Sequence, residues 1–232
     1  IEVCRDYSLP AYADANTLVL VVSYSGETEE SLSTFLDAVK RKCMTVCVSS
    51  GGSLRDFAGK LDVPHLLVPS GMAPRVTLPY LLMPLVVMLE RIGLVSSITA
   101  EVSETVKILK QISASNMPEK PIKENFSKTL ASNVYGTVPV IYGFGIYRAV
   151  AQRLKTQFNE NSKTLAHSSE YPEVGHNDVA GWQLPASLAS KIEVIVLCGP
   201  DDHPQLRARI EITRELISRK AQVHLVAARG RS

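Results

Sequence analysis

The sequence predicts an α/β protein of two subdomains, each a parallel sheet flanked by helices. Short apolar runs alternate along the chain with stretches in which apolar residues recur at helical spacing. This alternation is typical of parallel strands that are joined by helical crossovers. The series stops once, at a polar segment near the middle of the chain, and then begins again. The interruption predicts two subdomains of similar construction.

The first series consists of strands that are each followed by a helix. The predicted strands are short and apolar and span residues 17–22, 44–48 and 65–68. The first helix has one apolar face at positions i, i+3, i+4 and i+7, formed by Leu32, Phe35, Leu36 and Val39. Further helices are predicted over residues 54–61 and 78–89. The apolar stretch 78–89 holds about 12 residues, too few to span a bilayer, so we expect a buried helix in a core or at a subunit interface.

The second series follows a connector. Residues 97–131 are helical in pattern and polar, and SNMPEKP within them contains two prolines. The next predicted strands span residues 138–142, 192–198 and 223–227, with a long polar loop before the second of them. One helix is predicted from the GFG turn to about residue 158, and another has a face formed by Leu206, Ile210, Thr213 and Ile217. The predicted division is a first subdomain at 1–96, a connector at 97–132 and a second subdomain at 133–232.

Composition and charge exclude several classes of protein. Of 232 residues, 45% are hydrophobic and 21% are charged, as in ordinary globular domains. The 25 basic and 23 acidic residues are dispersed and give a net charge of +2, so we predict neither a nucleic-acid nor a membrane partner. The four cysteines have no metal-binding spacing, which favours reduced thiols in a cytoplasmic protein. The chain has no initial methionine, no signal peptide, and an end directly after a predicted strand, so we expect truncation at both ends.

The stretch SYSGETEES begins at residue 23, where a buried strand ends and a helix starts. A helix N-terminus has unsatisfied backbone N–H groups and partial positive charge, so it suits a phosphate. Ser23, Ser25 and Thr28 add hydroxyl donors, and Gly26 permits close backbone approach. There is no nearby lysine and no GxxxxGK[ST] pattern, which argues against a nucleotide-binding P-loop. The alternative is that Thr28 or Ser25 only caps the helix.

Two groups of motifs carry a resemblance to a known family. SYSGET resembles the S-x-S-G-x-T phosphosugar loop of the sugar isomerase (SIS) superfamily. NENSK and PEVGHND, at residues 159–178, are similar to segments of the bifunctional phosphoglucose/phosphomannose isomerases, a branch of that superfamily. RDYSLP, PSGMAPR and YGFG extend the resemblance over nearly the whole chain. The resemblance implies two SIS-type subdomains.

The resemblance also implies a site and a reaction. Ser23, Ser25 and Thr28 match the phosphate-binding hydroxyls of the family. Glu160 matches its catalytic glutamate, and Arg75 matches an arginine near the reacting carbons. His176 matches the catalytic histidine, which the family supplies from the neighbouring subunit of a homodimer. Aldose–ketose isomerisation through an enediolate needs such a carboxylate base, a ring-opening acid/base and a cation, and no cofactor.

Each of these residues also has a structural interpretation. Glu160 is alternatively a solvated loop carboxylate, and Arg75 is alternatively the partner of Glu90 or Asp62 in a surface ion pair. His176 is alternatively a helix cap together with Asn177 or Asp178. Other residues in the same polar stretch compete for the acid/base roles, namely His167, Glu170 and Glu173, and Glu173 is alternatively the residue that holds His176. Trp182 is expected to pack in the core.

The GFG turn, with Gly143 and Gly145, lacks the spacing of a dinucleotide fingerprint. We interpret both glycines as lining the substrate, where the backbone comes close to it. The sequence DDH at residues 201–203 is typical of a loop, and no residues have the spacing of a metal site.

These observations lead to one main hypothesis and two alternatives. The main one is an isomerase that interconverts glucose 6-phosphate, and mannose 6-phosphate, with fructose 6-phosphate. The first alternative is a non-catalytic phosphosugar-binding SIS regulatory module, which needs the hydroxyls but neither Glu160 nor His176. The second is part of an aminosugar enzyme acting on glucosamine 6-phosphate. By resemblance, a Gly/Ser-rich loop is expected upstream of Ile1 and a catalytic lysine beyond Ser232.

Overall fold

The structure is a computed structural model that describes residues 1–229. It divides into two compact units, Ile1–Ile98 and Thr99–Ser232. The predicted three-part division, with a separate connector at 97–132, remains a prediction, and residues 230–232 of its last part lie outside the described residues. No helix within the described residues has the length and apolar character needed to cross a membrane.

The first unit contains a three-stranded parallel sheet. Its strands, in the spatial order β1-β2-β3, are β1 (Leu18–Val22), β2 (Met44–Ser49) and β3 (His65–Leu67). The helices are α1 (Glu29–Lys40), α2 (Gly52–Lys60) and α3 (Leu78–Arg91), and a 3-10 turn at Pro74–Val76 precedes α3. The buried side chains of α1 and α2 pack on the sheet in a core cluster that includes Val21, Phe35, Cys47, Leu54 and Ala58. The α/β class predicted for this half is therefore confirmed.

Helix α3 differs from the prediction. Although its sequence, LPYLLMPLVVMLER, is almost wholly apolar, none of its residues is buried. Leu78, Tyr80 and Leu82 are 49%, 44% and 48% exposed. The expectation of a buried helix is therefore not met by the described residues of one chain. Large exposed apolar patches mark interaction sites, so burial of this helix at a subunit interface stays a prediction.

The second unit contains a four-stranded parallel sheet in the order β5-β4-β6-β7. The strands are β4 (Val138–Gly143), β5 (His167–Glu170), β6 (Ile192–Cys198) and β7 (Gln222–Ala227). The helices are α4 (Thr99–Ser115), α5 (Phe126–Val134), α6 (Tyr147–Gln157), α7 (Asp178–Gly181), α8 (Ala186–Ala189) and α9 (Pro204–Ile217). Strand β5 was predicted as part of a long polar loop, and that prediction is wrong. Its sequence, HSSE, lacks apolar residues, and its backbone pairing with β4 makes it an edge strand.

Helices cover both faces of this second sheet. On one face, the α9 side chains Leu206, Ile210 and Ile217 pack in a cluster with Val194 and Val196 of β6, as the helical pattern predicted. On the other face, the neighbouring β6 residues pack with α5 and α6 in a cluster that includes Val134, Ile141, Ala151, Ile195 and Leu197. The alternation of β6 side chains between two clusters explains why the whole strand is apolar.

Candidate functional site

The hydroxyl loop, residues 23–28, joins β1 to α1 at the carboxyl edge of the first sheet. Ser23 is buried, and its Oγ lies 2.7 Å from the Oγ1 of Thr28. The same Ser23 oxygen accepts the backbone N–H of Gly26 at 3.1 Å. The Oγ of the exposed Ser25 accepts the backbone N–H of Glu27 at 3.1 Å. The three predicted anion-binding hydroxyls therefore lie on one short loop directly before a helix.

The capping alternative can be examined at Thr28. This residue has the N-cap position of α1, but among the described residues its side chain makes no capping hydrogen bond. Its hydroxyl faces Ser23. The first backbone N–H groups of α1 thus lack the partner that a capping threonine would supply. Donors of this kind, with the positive end of the helix dipole, favour an anion in front of α1.

Glycine is required at position 26 by a contact with a neighbouring loop, which the sequence did not predict. Its φ is +74°, in the left-handed region that favours glycine. A Cβ added here would lie 1.9 Å from the carbonyl oxygen of Gly51, in the loop after β2. The close backbone approach that Gly26 permits is therefore to this neighbouring loop.

Replacing Gly26 by alanine is expected to lower the free energy of unfolding by more than about 2 kcal/mol, because the backbone conformation is strained and the Cβ has no space. The matched control is Gly93→Ala, since Gly93 has a φ of +76° and nothing within 4 Å of an added Cβ. That variant should lose only about 1 kcal/mol. Urea unfolding measures both, and equal losses would contradict the steric argument.

Two polar contacts from Glu27 hold the start of α2 against the hydroxyl loop. The Glu27 carboxylate accepts the backbone N–H of Ser53 at 2.7 Å and the Oγ of Ser53 at 2.8 Å, at the start of α2. At the end of β2, the Oγ of buried Ser49 donates to the Gly51 carbonyl at 2.7 Å and lies 2.8 Å from Nε2 of His65. Burial, with the positive charge of nearby Arg55, lowers the pKa of His65. The two loops thus behave as one polar assembly.

Arg75 lies in the 3-10 turn at Pro74–Val76 and is exposed. The segment that carries it is connected to the hydroxyl loop, because the backbone N–H of Met72 donates to the Tyr24 hydroxyl at 3.0 Å. Sequence reasoning missed Tyr24. The available signal was a single large side chain between two small hydroxyls, which indicates a contact other than packing.

Glu160 lies in a turn of π-helix, Phe158–Ser162, that continues from α6. Single π-helical turns are rare and are frequent at functional sites. The turn ends at Lys163, which has a φ of +54°, and the Lys163 Nζ donates to the Glu160 carbonyl at 2.6 Å. Asn159 accepts the backbone N–H of buried Ala166 at 3.0 Å through its Oδ1. The exposed Glu160 carboxylate is therefore carried by a backbone that is fixed on both sides.

His176 is exposed, but the segment that carries it is fixed in the core. Val174 is fully buried two residues earlier, and Tyr171 is buried beside Tyr142 with their rings 5.9 Å apart, edge to face. Trp182 is buried, as predicted, and its Nε1 donates to the Tyr142 hydroxyl at 3.2 Å. Burial raises the pKa of Tyr171 to about 12, so the Tyr171 phenol stays neutral.

Glu173 and Asn177 lie on either side of the segment 174–176 and bond to each other. The Glu173 carboxylate accepts a hydrogen bond from the Asn177 side chain, whereas its own carbonyl accepts the His176 backbone N–H at 2.8 Å. Glu173 thus supports the turn and not the imidazole itself. Asn177 has the N-cap position of α7, with no side-chain capping bond within residues 1–229.

Glu160 and His176 of one chain lie at opposite edges of the second sheet. Helix α6 starts after β4 at the carboxyl edge and returns the chain to the amino edge over 11 residues, or about 16 Å of helix. Glu160 follows at that amino edge. Strand β5 then runs back, with Glu170 in register with Gly143, and His176 follows beyond the carboxyl edge. The structure therefore does not bring these two residues together within one chain.

The two glycines of the GFG turn lie at the carboxyl edge, away from Glu160. Gly143 is buried, and an added Cβ would lie 2.5 Å from the carbonyl of Tyr147, so helix packing alone requires glycine there. Gly145 has a φ of +51° and nothing within 4 Å of an added Cβ. Because α6 separates it from Glu160, Gly145 and Glu160 of one chain cannot contact the same sugar. Lining of the substrate by these two glycines stays a prediction. It requires that the Glu160 acting on the same sugar comes from another chain.

A cavity of about 510 Å³ lies beside this turn, lined by residues 144–147, 200–203, 228 and 229. It contains the DDH sequence, and the side chains of Asp202 and His203 have structural partners. Asp202 accepts the backbone N–H of Gly199 at 2.8 Å, and His203 Nδ1 accepts that of Gln205 at 3.2 Å as the N-cap of α9. Within the described residues there is no group of three or more potential metal ligands.

Comparison with known proteins tests the resemblance carried by the motifs. Residues 123–232 match the family model described as bacterial phospho-glucose isomerase C-terminal SIS domain. The bifunctional phosphoglucose/phosphomannose isomerase of Thermoplasma volcanium is 35% identical over 231 residues, which cover 98% of this chain and 68% of that relative. The chain belongs to the bifunctional phosphoglucose/phosphomannose isomerase family.

A second relative agrees with this assignment, and a solved structure shares the fold. The bifunctional phosphoglucose/phosphomannose isomerase of Caldicellulosiruptor bescii is 37% identical over 218 residues, which cover 94% of this chain and 64% of that relative. The chain thus spans about two thirds of the length of these two relatives. Glucosamine-6-phosphate deaminase of Thermotoga maritima matches with a TM-score of 0.64 and 18% identity, over 95% of this chain and 63% of that one. At such identity the similarity shows the fold alone.

Proposed function

We propose that the protein interconverts glucose 6-phosphate and mannose 6-phosphate with fructose 6-phosphate through an enediolate, as a cytoplasmic homodimer without a cofactor. The observation that carries this proposal is the hydroxyl loop of a chain in this isomerase family. Its three hydroxyls precede a helix N-terminus that the Thr28 side chain does not cap. A phosphomonoester is the anion for which neutral hydroxyls and backbone donors are suited.

In this proposal the phosphate lies in front of α1 and accepts hydrogen bonds from Ser25 and from the paired hydroxyls of Ser23 and Thr28. The Ser23–Thr28 contact of 2.7 Å leaves one of the two hydroxyl protons available to a third acceptor. Glu29 and Glu30 in the first turn of α1 are exposed, so solvent screens their repulsion of a phosphate.

The proposed reaction moves one proton between neighbouring carbons. Glu160 removes the proton from C2 of the open aldose, and electrons move to the C1 carbonyl oxygen to give the enediolate. Return of the carbon-bound proton to C1, with transfer of the O2 proton to O1, gives the ketose carbonyl at C2. Arg75 stabilises the oxygen charge. The oxidation of C2 balances the reduction of C1, so the step needs no external oxidant or reductant.

His176 of the partner subunit is the proposed ring-opening acid/base. A general acid or base acts within hydrogen-bond reach, about 2.6–3.2 Å between heavy atoms. Glu160 and His176 of the same chain lie at opposite sheet edges, so one chain alone does not supply both groups to one sugar. The exposed apolar helix α3 provides surface for association of two chains. Both observations support a site that is shared in a dimer.

Replacing Thr28 by valine, which removes only the hydroxyl, is expected to raise KM for fructose 6-phosphate by about tenfold to a hundredfold, because a hydrogen bond to a charged group is lost. The value of kcat should change little, since the phosphate is remote from C1 and C2. Thr34→Val is the matched control, because the Thr34 hydroxyl bonds the Glu30 carbonyl at 2.8 Å within α1. Steady-state kinetics measures both, and a lowered kcat with unchanged KM would contradict the phosphate-binding role.

The proposal is tested by a coupled assay of the full-length protein with glucose 6-phosphate, mannose 6-phosphate and fructose 6-phosphate. The proposal requires turnover of glucose 6-phosphate and of fructose 6-phosphate. Calorimetric binding of fructose 6-phosphate without any turnover would instead favour the non-catalytic regulatory module. Turnover of glucosamine 6-phosphate alone would favour the aminosugar alternative.

A further inference from the structure

Tyr24 connects the hydroxyl loop to the loops that follow the other two strands of the first sheet. It lies between Ser23 and Ser25, directly after β1. Its carbonyl oxygen accepts the Ser50 backbone N–H at 2.9 Å and the Ser50 Oγ at 2.7 Å, in the loop after β2. Its phenol oxygen accepts the Met72 backbone N–H at 3.0 Å, in the loop after β3. One half-buried residue therefore joins all three loops at this edge of the sheet.

The third of these loops, residues 69–77, is called the arginine loop. At its start, Val68 donates its backbone N–H to the end of β2 at 3.0 Å. At its end, Thr77 is fully buried. The Tyr24 hydroxyl provides a contact between these two anchors, at Met72, three positions before Arg75. The contact thus fixes the part of the loop from which Arg75 projects.

We propose that Tyr24 is a positioning residue whose hydroxyl holds the arginine loop at a fixed distance from the hydroxyl loop. The inference rests on the proposed function. The phosphate and the reacting carbons are at opposite ends of a hexose phosphate, so a site that holds both needs a rigid connection between its two parts. Tyr24 provides this connection without contacting the reacting atoms. A misplacement of about 1 Å in such a site lowers the rate by up to about a hundredfold.

The test is Tyr24→Phe in the full-length protein, which keeps the ring and removes the acceptor of the Met72 N–H. We expect kcat for fructose 6-phosphate to fall about tenfold while KM stays within about twofold, because the hydroxyls that bind phosphate are retained. Tyr12→Phe is the matched control, since its exposed hydroxyl bonds Glu2. Unchanged kcat in the Tyr24 variant would overturn the proposal.

A second measurement separates positioning from general destabilisation. If Tyr24 acts through Arg75, then Tyr24→Phe should cause no further loss of kcat in an Arg75→Ala background. An equal fractional loss in both backgrounds would overturn the proposal, because the hydroxyl would then act independently of the arginine.

Amide hydrogen exchange distinguishes failure of this inference from failure of the proposed function. Faster exchange of the Met72 amide in Tyr24→Phe than in the wild type supports the contact, whether or not the protein is an isomerase. An unchanged Met72 amide overturns the inference alone. Absence of all hexose phosphate turnover in the wild-type protein overturns the proposed function, and with it the assignment of Arg75 as the residue that Tyr24 positions.

Discussion

The Glu160→Gln variant is expected to turn over fructose 6-phosphate about a thousandfold more slowly than the wild type, within the range that general-base catalysis contributes. Glutamine keeps the length and shape of the side chain but cannot accept the proton of the reacting carbon. KM should change little, because the proposed phosphate contacts come from the hydroxyl loop and not from Glu160. The coupled assay measures turnover, and exchange of a C1 proton of fructose 6-phosphate with deuterium in the solvent should be lost in parallel.

The decisive controls are the same substitution at the competing carboxylates. Glu170 forms an ion pair with Arg148 at 3.1 Å on exposed surface, and such pairs contribute little, so Glu170→Gln should change kcat by less than about fivefold. Glu173 holds the Asn177 side chain, and its substitution should retain most of the activity. Full activity in Glu160→Gln with loss in either other variant would show that the base has been assigned to the wrong residue.

Much of the fold follows from apolar patterning, and the exceptions have physical causes. The alternation of apolar runs and amphipathic helices predicts the parallel strands that pack on both faces, such as Ile192–Cys198. Apolar patterning does not predict strand His167–Glu170, because backbone hydrogen bonds to β4, and not buried side chains, define it. Helix α3 is the opposite case, since its apolar residues predict burial that one chain does not provide.

The candidate site is predictable where chemistry is local in sequence. Three hydroxyls and a glycine after a buried strand indicate an anion site from the residues themselves. The reason for Gly26 is not local, since its Cβ position is occupied by the carbonyl of Gly51 in another loop. The Tyr24 contact with Met72 joins positions 48 residues apart. Contacts of this kind depend on the sheet register, which the sequence pattern does not specify.

The placement of Glu160 and His176 leads to a prediction about mixed dimers. His176→Ala alone is expected to lower turnover about a hundredfold, because ring opening loses its acid/base. Glu160→Gln is expected to lower turnover further. When the two inactive chains are combined, each mixed dimer contains one site with both substitutions and one site with neither. A random 1:1 mixture should therefore recover about a quarter of the wild-type activity, given two sites per dimer and half of the dimers mixed.

The alternative arrangement predicts a different result. If each site used Glu160 and His176 of the same chain, every site in the mixture would keep one substitution, and activity would stay at the level of the single variants. Co-expression with two different affinity tags isolates the mixed dimers and raises the expected recovery to about half, since one of two sites is intact.

A second mixture combines Glu160→Gln with Arg75→Ala. Recovery of activity in this mixture depends on whether Arg75 belongs to the chain that supplies the base. Recovery with His176→Ala and none with Arg75→Ala would assign the base and the arginine to one chain and the acid/base to its partner, whereas no recovery in either mixture would contradict the shared site.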